Sequence, residues 1–446
     1  MRTRAVVTVG RATQLLTVDR ALAAARAGRG GSLFLTGEGG IGKSRLAAAA
    51  ADLAYDADMC LMRGRGSTIG PIVPFRPLTE ALMSLLRGTP SFDVGELGPY
   101  GPALGRLVPD LAPTGTAPDS TSLVVLAEAV LRLTGLVGRD RGCLLVLDDL
   151  QDADAETLAV VEYLIDNLDR QPTLLLGTVR TEESTAIELV RSAARRDACT
   201  VLPLDRLTAE ELRELAGSCL GVEAARVPEA VTERLWADSA GNPFLAEELL
   251  NEMVDSGLLA HTADGWQVAG ELRTNVPATL ASSVARRVER LDPQARDLLA
   301  VAAVLGRRFP VAVVQEVTGL DDRSLLSQLH AALGVQLVAP DDETPDWYTF
   351  AHPLTAEAIL SRLAPKERAG LAARAADAVE AVHPELPGEW CQLAAALRLD
   401  AGDDGAAGRL FAEAGRRALA QGAAASAVTL LDRAHRLLGQ DVTAAA

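Results

Sequence analysis

Gly37-Glu38-Gly39-Gly40-Ile41-Gly42-Lys43-Ser44 follows the apolar run Ser32–Thr36 and opens the helical stretch Arg45–Ala54. A strand, a glycine loop ending in Lys-Ser, and then a helix is the order a phosphate cradle requires. Glycine lets the backbone curl until successive N–H groups point inward at an anion. The helix start adds the positive end of its dipole, the Lys43 ammonium reaches toward β- and γ-phosphates, and the Ser44 hydroxyl suits magnesium. Gly37, Gly39, Gly40, Ile41, Gly42, Lys43, Ser44 and Arg45 are therefore candidate contacts to ATP or ADP, with Ser44 a candidate Mg2+ ligand. The same glycines also satisfy GxGxxG. A dinucleotide site, however, wants a carboxylate at the end of the second strand. Here that strand runs into Arg63-Gly64-Arg65, and the Lys-Ser pair has no role in dinucleotide binding.

Downstream, Leu144-Leu145-Val146-Leu147 ends in Asp148-Asp149. Alone, an apolar strand ending in two acids commonly marks a turn. After a phosphate loop it places carboxylates at the edge of the sheet where ligands of open α/β folds sit. Asp148 then suits the magnesium shell, and Asp149 suits orienting or deprotonating an attacking water. Leu174–Val179 is a further buried strand ending in Arg180, which is placed to sense a γ-phosphate by bidentate contact. Apolar runs at Leu33–Thr36, Cys60–Met62, Leu144–Leu147, Leu174–Val179 and Thr200–Leu204 alternate with helical stretches at Ala47–Ala54, Leu78–Leu86, Leu123–Leu136 and Leu158–Leu168. That alternation predicts a parallel sheet with helices on both faces. The Gly- and Pro-rich segment from Gly88 to Asp119 reads as an insertion or long loop.

The chain has 446 residues, of which 48% are hydrophobic and 23% charged, so it can bury several cores and is not a disordered chain. Its formal charge of −17 argues against a strongly basic nucleic-acid-binding surface within these residues. Lysine occurs only at Lys43 and Lys366, against a background of arginine. A compact ammonium at Lys43 is not equivalent to a guanidinium. The five cysteines, Cys60, Cys143, Cys199, Cys219 and Cys391, include no CxxC spacing. They suggest neither a disulfide framework nor a zinc site, and a reducing cytoplasm is the simpler expectation. No apolar stretch approaches the roughly 18 residues of a membrane span.

Beyond Asp205 the strand signal fades. Leu207–Leu220, Val227–Ala240 and Pro243–Asp255 are helical by periodicity, and Leu258–Val268 suits a small hairpin. Helices starting near Pro277, Pro293 and Arg323, with a hairpin-like piece around Pro345–Phe350, have the look of a winged-helix module. From Pro365 the chain is Ala-rich helix. Gly402-Asp403 and Gly422-Ala423 each precede a helix with small residues at close spacing, as in tetratricopeptide-type solenoids. Stable solenoids need at least about three repeats, so the expectation is a longer polypeptide cut short. The expected division is a P-loop nucleotide-binding domain over 1–205, a helical lid over 206–275, a winged-helix-like domain over 276–364 and TPR-like repeats over 365–446.

On these residues the chain resembles a STAND-class P-loop ATPase of the AAA type. More narrowly, it is similar to the ATPase-plus-helical portion of the large ATP-binding LuxR-family transcriptional regulators, the MalT-like group. Val9-Gly10-Arg11 matches the family's short motif before the phosphate loop, which implies a place at the adenine. Gly241-Asn242-Pro243-Phe244 matches the lid's GxP motif, which implies that Pro243 packs on the base. Phe350-Ala351-His352-Pro353-Leu354 looks like the winged-helix F-x-H-P-L segment, which implies that His352 contacts the ADP β-phosphate. Two departures stand out: Asp152 lies where the family often has Trp, and no helix-turn-helix is visible at the end. The resemblance implies an ATP-operated switch of a bacterial transcription regulator, closed with ADP and open with ATP. Hydrolysis would be slow, and an inducer or protein partner would sit on the helical repeats. Self-association would follow in the ATP state, DNA would be contacted only through a segment outside this chain, and no membrane would be involved. The rival expectations are a scaffold or defence-type STAND assembly that does not touch DNA, and a conventional fast P-loop enzyme.

Overall fold

The structure, a computed structural model, describes residues 8–66, 73–88, 92–111, 122–262, 265–269, 284, 287–335, 337–341, 346–351 and 353–444. These divide into two compact units, Met1–Gly66 with Phe75–Ala278, and Ser67–Pro74 with Thr279–Ala446.

The first unit is built on five strands, β1 Gly31–Gly37, β2 Cys60–Arg65, β3 Cys143–Asp148, β4 Thr173–Arg180 and β5 Thr200–Pro203. They pair in the order β2-β3-β4-β1-β5, and every pairing is parallel. The middle three strands are buried almost along their length, which is why they read as continuous apolar runs without alternation. All five strands expected from the sequence are present, lengthened by a residue or more except for β5. Around them lie α1 Ala12–Arg26, α2 Lys43–Asp56, α3 Arg76–Arg87, α4 Gly101–Gly105, α5 Leu123–Val137, α6 Ala155–Asn167 and α7 Thr185–Arg195. One core cluster joins Val18 and Leu22 of α1, Leu33 and Leu35 of β1, and Leu46 and Ala50 of α2.

Helices α1 and α7 do not stand out in the sequence. Helix α1 buries only Val18, Leu22 and Ala25, a stripe three residues wide. Helix α7 buries Ala186, Ile187, Val190 and Ala193 and is capped by Ser184, whose hydroxyl accepts from the Ile187 N–H at 3.3 Å. The expected long loop after Gly88 is corrected in its described part. Val94–Tyr100 and Pro109–Leu111 form 3-10 turns on either side of α4, because Leu97, Leu104 and Leu111 are buried and pull the segment onto the domain. The rest of the unit is helical: α8 Ala209–Leu220, α9 Glu229–Ser239 and α10 Pro243–Asp255, closed by the hairpin β6 Leu259–Thr262 and β7 Gly265–Val268. This part has its own core around Leu212, Leu235 and Met253, and Val9 packs against it.

In the second unit, α11 Pro293–Leu305, α12 Val311–Thr318 and α13 Asp322–Gly334 accompany a three-stranded antiparallel sheet. Its strands, β8 Arg308–Pro310, β9 Val338–Pro340 and β10 Trp347–Phe350, pair in the order β8-β10-β9. The sequence shows the β9–β10 hairpin but not β8 or α12. Both lie in Arg308–Thr318, an apolar stretch too short for periodicity to separate strand from helix. The helix expected near Pro277 starts outside the described residues. There follow α14 Pro353–Leu360, α15 Pro365–Val382, α16 Trp390–Asp400, α17 Asp404–Ala420 and α18 Ala424–Ala444. The turns before α17 and α18 are the same device used twice. Gly402 and Gly422 take left-handed φ of 83° and 80°, and the next amides, Asp403 and Ala423, return to Arg398 O and Ala418 O at 2.9 Å each. Small residues let the last two helices close: a Cβ on Gly408 would lie 2.8 Å from the Leu438 side chain. Gly408→Val should therefore lower the stability of this helical pair by about 1–3 kcal/mol, read as a drop in the thermal midpoint. An unchanged midpoint would contradict the packing.

Candidate functional site

Parallel strands deliver their carboxyl ends to one edge, and here four chemistry-bearing ends arrive together. In the ladder Gly37 of β1 stands opposite Arg180 of β4, and Asp148 of β3 opposite Arg65 of β2. From Gly37 the chain enters the glycine loop and then α2. Gly42 caps that helix with φ 102°, and Gly40 has φ 78°, backbone conformations that side-chain-bearing residues rarely adopt. Lys43 is buried, and its ammonium donates to Gly37 O at 2.8 Å and Glu38 O at 2.9 Å. Burial lowers its pKa from the ordinary lysine value, Asp149 opposes that, and Arg180 adds to it. The Ser44 hydroxyl donates to Asp148 Oδ1 at 3.1 Å, so a hydroxyl and a carboxylate already face one another beside the loop.

The two acids are held by neighbours the sequence does not advertise. The Thr178 hydroxyl donates to Asp148 Oδ1 at 2.5 Å and accepts the Asp149 N–H at 2.8 Å. Asp149 is buried and takes a left-handed backbone, φ 55°. Arg65 donates to its Oδ2 through Nε at 3.0 Å and Nη2 at 2.8 Å, and lies 3.7 Å from Asp148. Gln151 donates to the other Asp149 oxygen at 3.1 Å and accepts the Arg180 N–H at 3.1 Å. Desolvation works to lower the Arg65 pKa, but Asp148 and Asp149 outweigh it and hold the guanidinium above its usual value. Asp149, the candidate base, is thus engaged by a cation on one oxygen and an amide on the other.

The loop is also tied to the helical part of the same unit. Asn242 caps α10, its Oδ1 accepting from the Phe244 and Leu245 amides at 3.1 and 3.3 Å. Its Nδ2 reaches across to Gly39 O at 3.0 Å and Glu38 Oε1 at 3.3 Å. A Cβ on Gly40 would come 3.0 Å from Phe244 Cβ and 3.1 Å from Asn242 Oδ1, a tight approach that together with its φ of 78° favours glycine. Arg206 pairs with Glu38 at 2.8 Å, and Arg45 of α2 with Glu247 of α10 at 2.8 Å. The hydrogen bond from Arg206 is the main cause holding the Glu38 carboxyl below its usual range. Pro243 occupies the first turn of α10, directly after this clasp.

Arg11 caps the start of α1 and is buried, with Nη2 donating to Ile41 O at 3.3 Å and Asp205 O at 2.6 Å. Burial lowers its pKa, with Glu211 and Asp205 opposing. Its neighbour Gly10 lies against Glu211, where a Cβ would sit 2.6 Å from the carboxylate. Of the expected site residues, Arg11, Lys43, Ser44, Asp148, Asp149 and Arg180 lie at the loop or the strand ends beside it, Val9 and Gly10 lie against the helical part, and Pro243 follows Asn242. His352 lies outside the described residues. Sequence reasoning missed Arg65, Thr178, Gln151, Glu38, Asn242, Arg206 and Glu247. A signal existed for Arg65, a cation closing the strand next to the acid-bearing one, and for Asn242 inside the quoted lid motif.

Residues 7–176 match the family profile of the AAA ATPase domain. The chain thus contains an AAA ATPase domain, with a parallel five-stranded sheet and a helical C-terminal region. A search of curated proteins finds no match to the sequence. Among solved structures, the chain is similar to a Signal Transduction ATPase with Numerous Domains (STAND) protein with a tetratricopeptide repeat sensor from Pyrococcus horikoshii. The identity is 16% and the TM-score 0.53, over 98% of this chain and 59% of that one. It thus spans a little under two thirds of that protein's length, and a likeness at this identity speaks for the fold alone. Lower similarity is found to the ORC2 protein of Aeropyrum pernix (15% identity, TM-score 0.39, 80% and 94% of the two chains). It is also found to Cdc6p of Pyrobaculum aerophilum (16% identity, TM-score 0.36, 79% and 93%). Among the described residues no helix is long and apolar enough to cross a membrane, and no His/Cys/Asp/Glu group is arranged to hold a metal on its own.

The Arg65–Asp149 pair gives a test of the site's electrostatics. Arg65→Ala and Asp149→Asn should each destabilise the protein, and the double variant should cost less than their sum by about 1–3 kcal/mol in denaturant unfolding. Additive losses would mean the two groups do not interact. Asn242→Ala removes a helix cap and two ties to the loop, and should cost about 1–2 kcal/mol by the same measurement.

Proposed function

We propose that this chain is a nucleotide-operated switch: it binds ATP or ADP on the Gly37–Ser44 loop, hydrolyses ATP slowly, and reports the nucleotide's state through its helical region. In this reading it is the switch portion of a bacterial LuxR-family, MalT-like transcriptional regulator. Residues 1–205 bind the nucleotide, 206–275 are the lid, 276–364 the winged-helix-like part and 365–446 the repeats that receive an inducer or protein partner. DNA is contacted through a separate helix-turn-helix outside residues 1–446.

The observation that carries the reading is the polar clasp between loop and lid. Asn242 donates to Gly39 O and Glu38, and Arg206 and Glu247 pair with Glu38 and Arg45. An anion entering the loop competes for the Lys43 ammonium, now held by Gly37 O and Glu38 O. It thereby disturbs the same segment that Asn242 and Arg206 grip. Occupancy and lid position are then one equilibrium, and a ligand shifts it only by its differential affinity for the two states.

The residues also fit the chemistry. Ser44 and Asp148, already hydrogen-bonded, would hold magnesium, which supplies charge neutralisation to the phosphates. Val9, Gly10, Arg11 and Pro243 would border the base, and Arg180, opposite Gly37 in the ladder, would meet the terminal phosphate. Asp149 would orient the attacking water, but it must first give up its hydrogen bonds from Arg65 and Gln151. That requirement favours slow turnover, a timer more than a metabolic activity. The role given to His352 at the ADP β-phosphate belongs to the same proposal.

Lys43→Ala should reduce ATP and ADP affinity by about a hundredfold or more while the circular dichroism spectrum stays the same; unchanged affinity removes the loop from the account. Asp149→Asn should keep ATP affinity, lose hydrolysis, and run as a larger species than the ADP form in light scattering. Wild-type turnover of many per second, or full hydrolysis by Asp149→Asn, would favour a conventional enzyme with another base.

A further inference from the structure

Cys60 opens β2 and Cys143 opens β3, and the parallel register sets them directly opposite. Nothing in their sequence spacing announces this; the fold makes the pair. Side chains opposite one another on adjacent parallel strands share a face, with backbones about 4.8 Å apart. That separation lies inside the Cα range of about 4.4–6.8 Å that a disulfide spans. Both thiols are free and buried. Cys60 is not sealed off. A cavity of about 530 Å³ at the outer edge of β2 is lined by Cys60 with Met59, Arg63, Ser84 and Arg141. A small oxidant can enter there beside two guanidinium-bearing residues.

The two sulfurs are unequal. The neighbouring Cys143 holds the Cys60 thiol below its ordinary pKa, with burial opposing and Arg141 helping. Cys143 is pushed well above the ordinary value by Cys60 and by complete burial. The first is the better thiolate, and the second keeps its proton until a bond to sulfur is offered.

We propose that Cys60 and Cys143 form a hydroperoxide-responsive dithiol that closes to an inter-strand disulfide. The Cys60 thiolate attacks one peroxide oxygen, the O–O bond breaks, and the leaving hydroxide takes up a proton to become water. Cys60 is then a sulfenic acid. The Cys143 sulfur attacks it, its proton passes to the departing hydroxyl, and a second water leaves as the S–S bond forms. Two thiols and one hydroperoxide give one disulfide and two waters, or one water and one alcohol if the peroxide is organic. The opposite end of the same strand pair carries Arg65 facing Asp148, so the cross-link ties together the two strands that present the acid site.

The test needs no nucleotide and is independent of the switch reading. The full reduced chain is treated with a small excess of hydrogen peroxide, unfolded, alkylated and digested without reductant. The expected result is a Cys60–Cys143 linked peptide, loss of two alkylatable thiols per chain, and full recovery with dithiothreitol. Cys143→Ser should instead leave a sulfenic acid on Cys60, trapped by dimedone. Should that variant not fold, the wild-type linkage decides alone. Full alkylation of Cys60 and Cys143 after peroxide, or oxidation confined to half-buried Cys199, would overturn the proposal.

Discussion

A buried ammonium is the constraint around which this domain is arranged. Lys43 sits out of water at the edge of a parallel sheet, and such a charge persists only where oxygens replace its hydration. Two main-chain carbonyls of its own loop do so, because glycines at 40 and 42 let the backbone turn back over the helix start. Every other feature of the site is set relative to that charge. The acids on β3 lie one strand beyond β4, and Thr178 of β4 bridges the gap by bonding to both of them. Arg180 arrives beside Gly37 because β4 is the strand inserted next to β1.

Much of this is legible in the sequence, and the reasons differ by element. The strands are readable because a doubly covered parallel sheet demands unbroken apolar runs. The loop is readable because glycine, lysine and serine each meet a separate physical need at a set spacing. Arg65 and Asn242 escape notice for a different reason. Their partners, Asp149 and Gly39, are far away in sequence, and only strand order or helix docking brings them near. Helix α1 is hidden by the thinness of its buried stripe, and β8 with α12 by brevity. The two cysteines look scattered along the chain, yet parallel register makes them neighbours.

The site as it stands is internally satisfied. Lys43, Asp148, Asp149, Glu38 and Asn242 each have partners within the domain, so an incoming phosphate exchanges hydrogen bonds and does not fill a void. Such exchange gives modest net free energy per bond but redistributes the contacts sharply. That is the behaviour the proposed switch requires. The same arrangement suits a catalyst poorly while its candidate base is paired with a guanidinium.

The measurement that bears most directly on this account is calorimetric titration of the unaltered chain with ADP and with ATP, with and without magnesium. The account predicts one site per chain, saturable by either nucleotide, with ATP affinity strengthened by magnesium through Ser44 and Asp148. Absence of any heat or saturation with both nucleotides at millimolar concentration would contradict it.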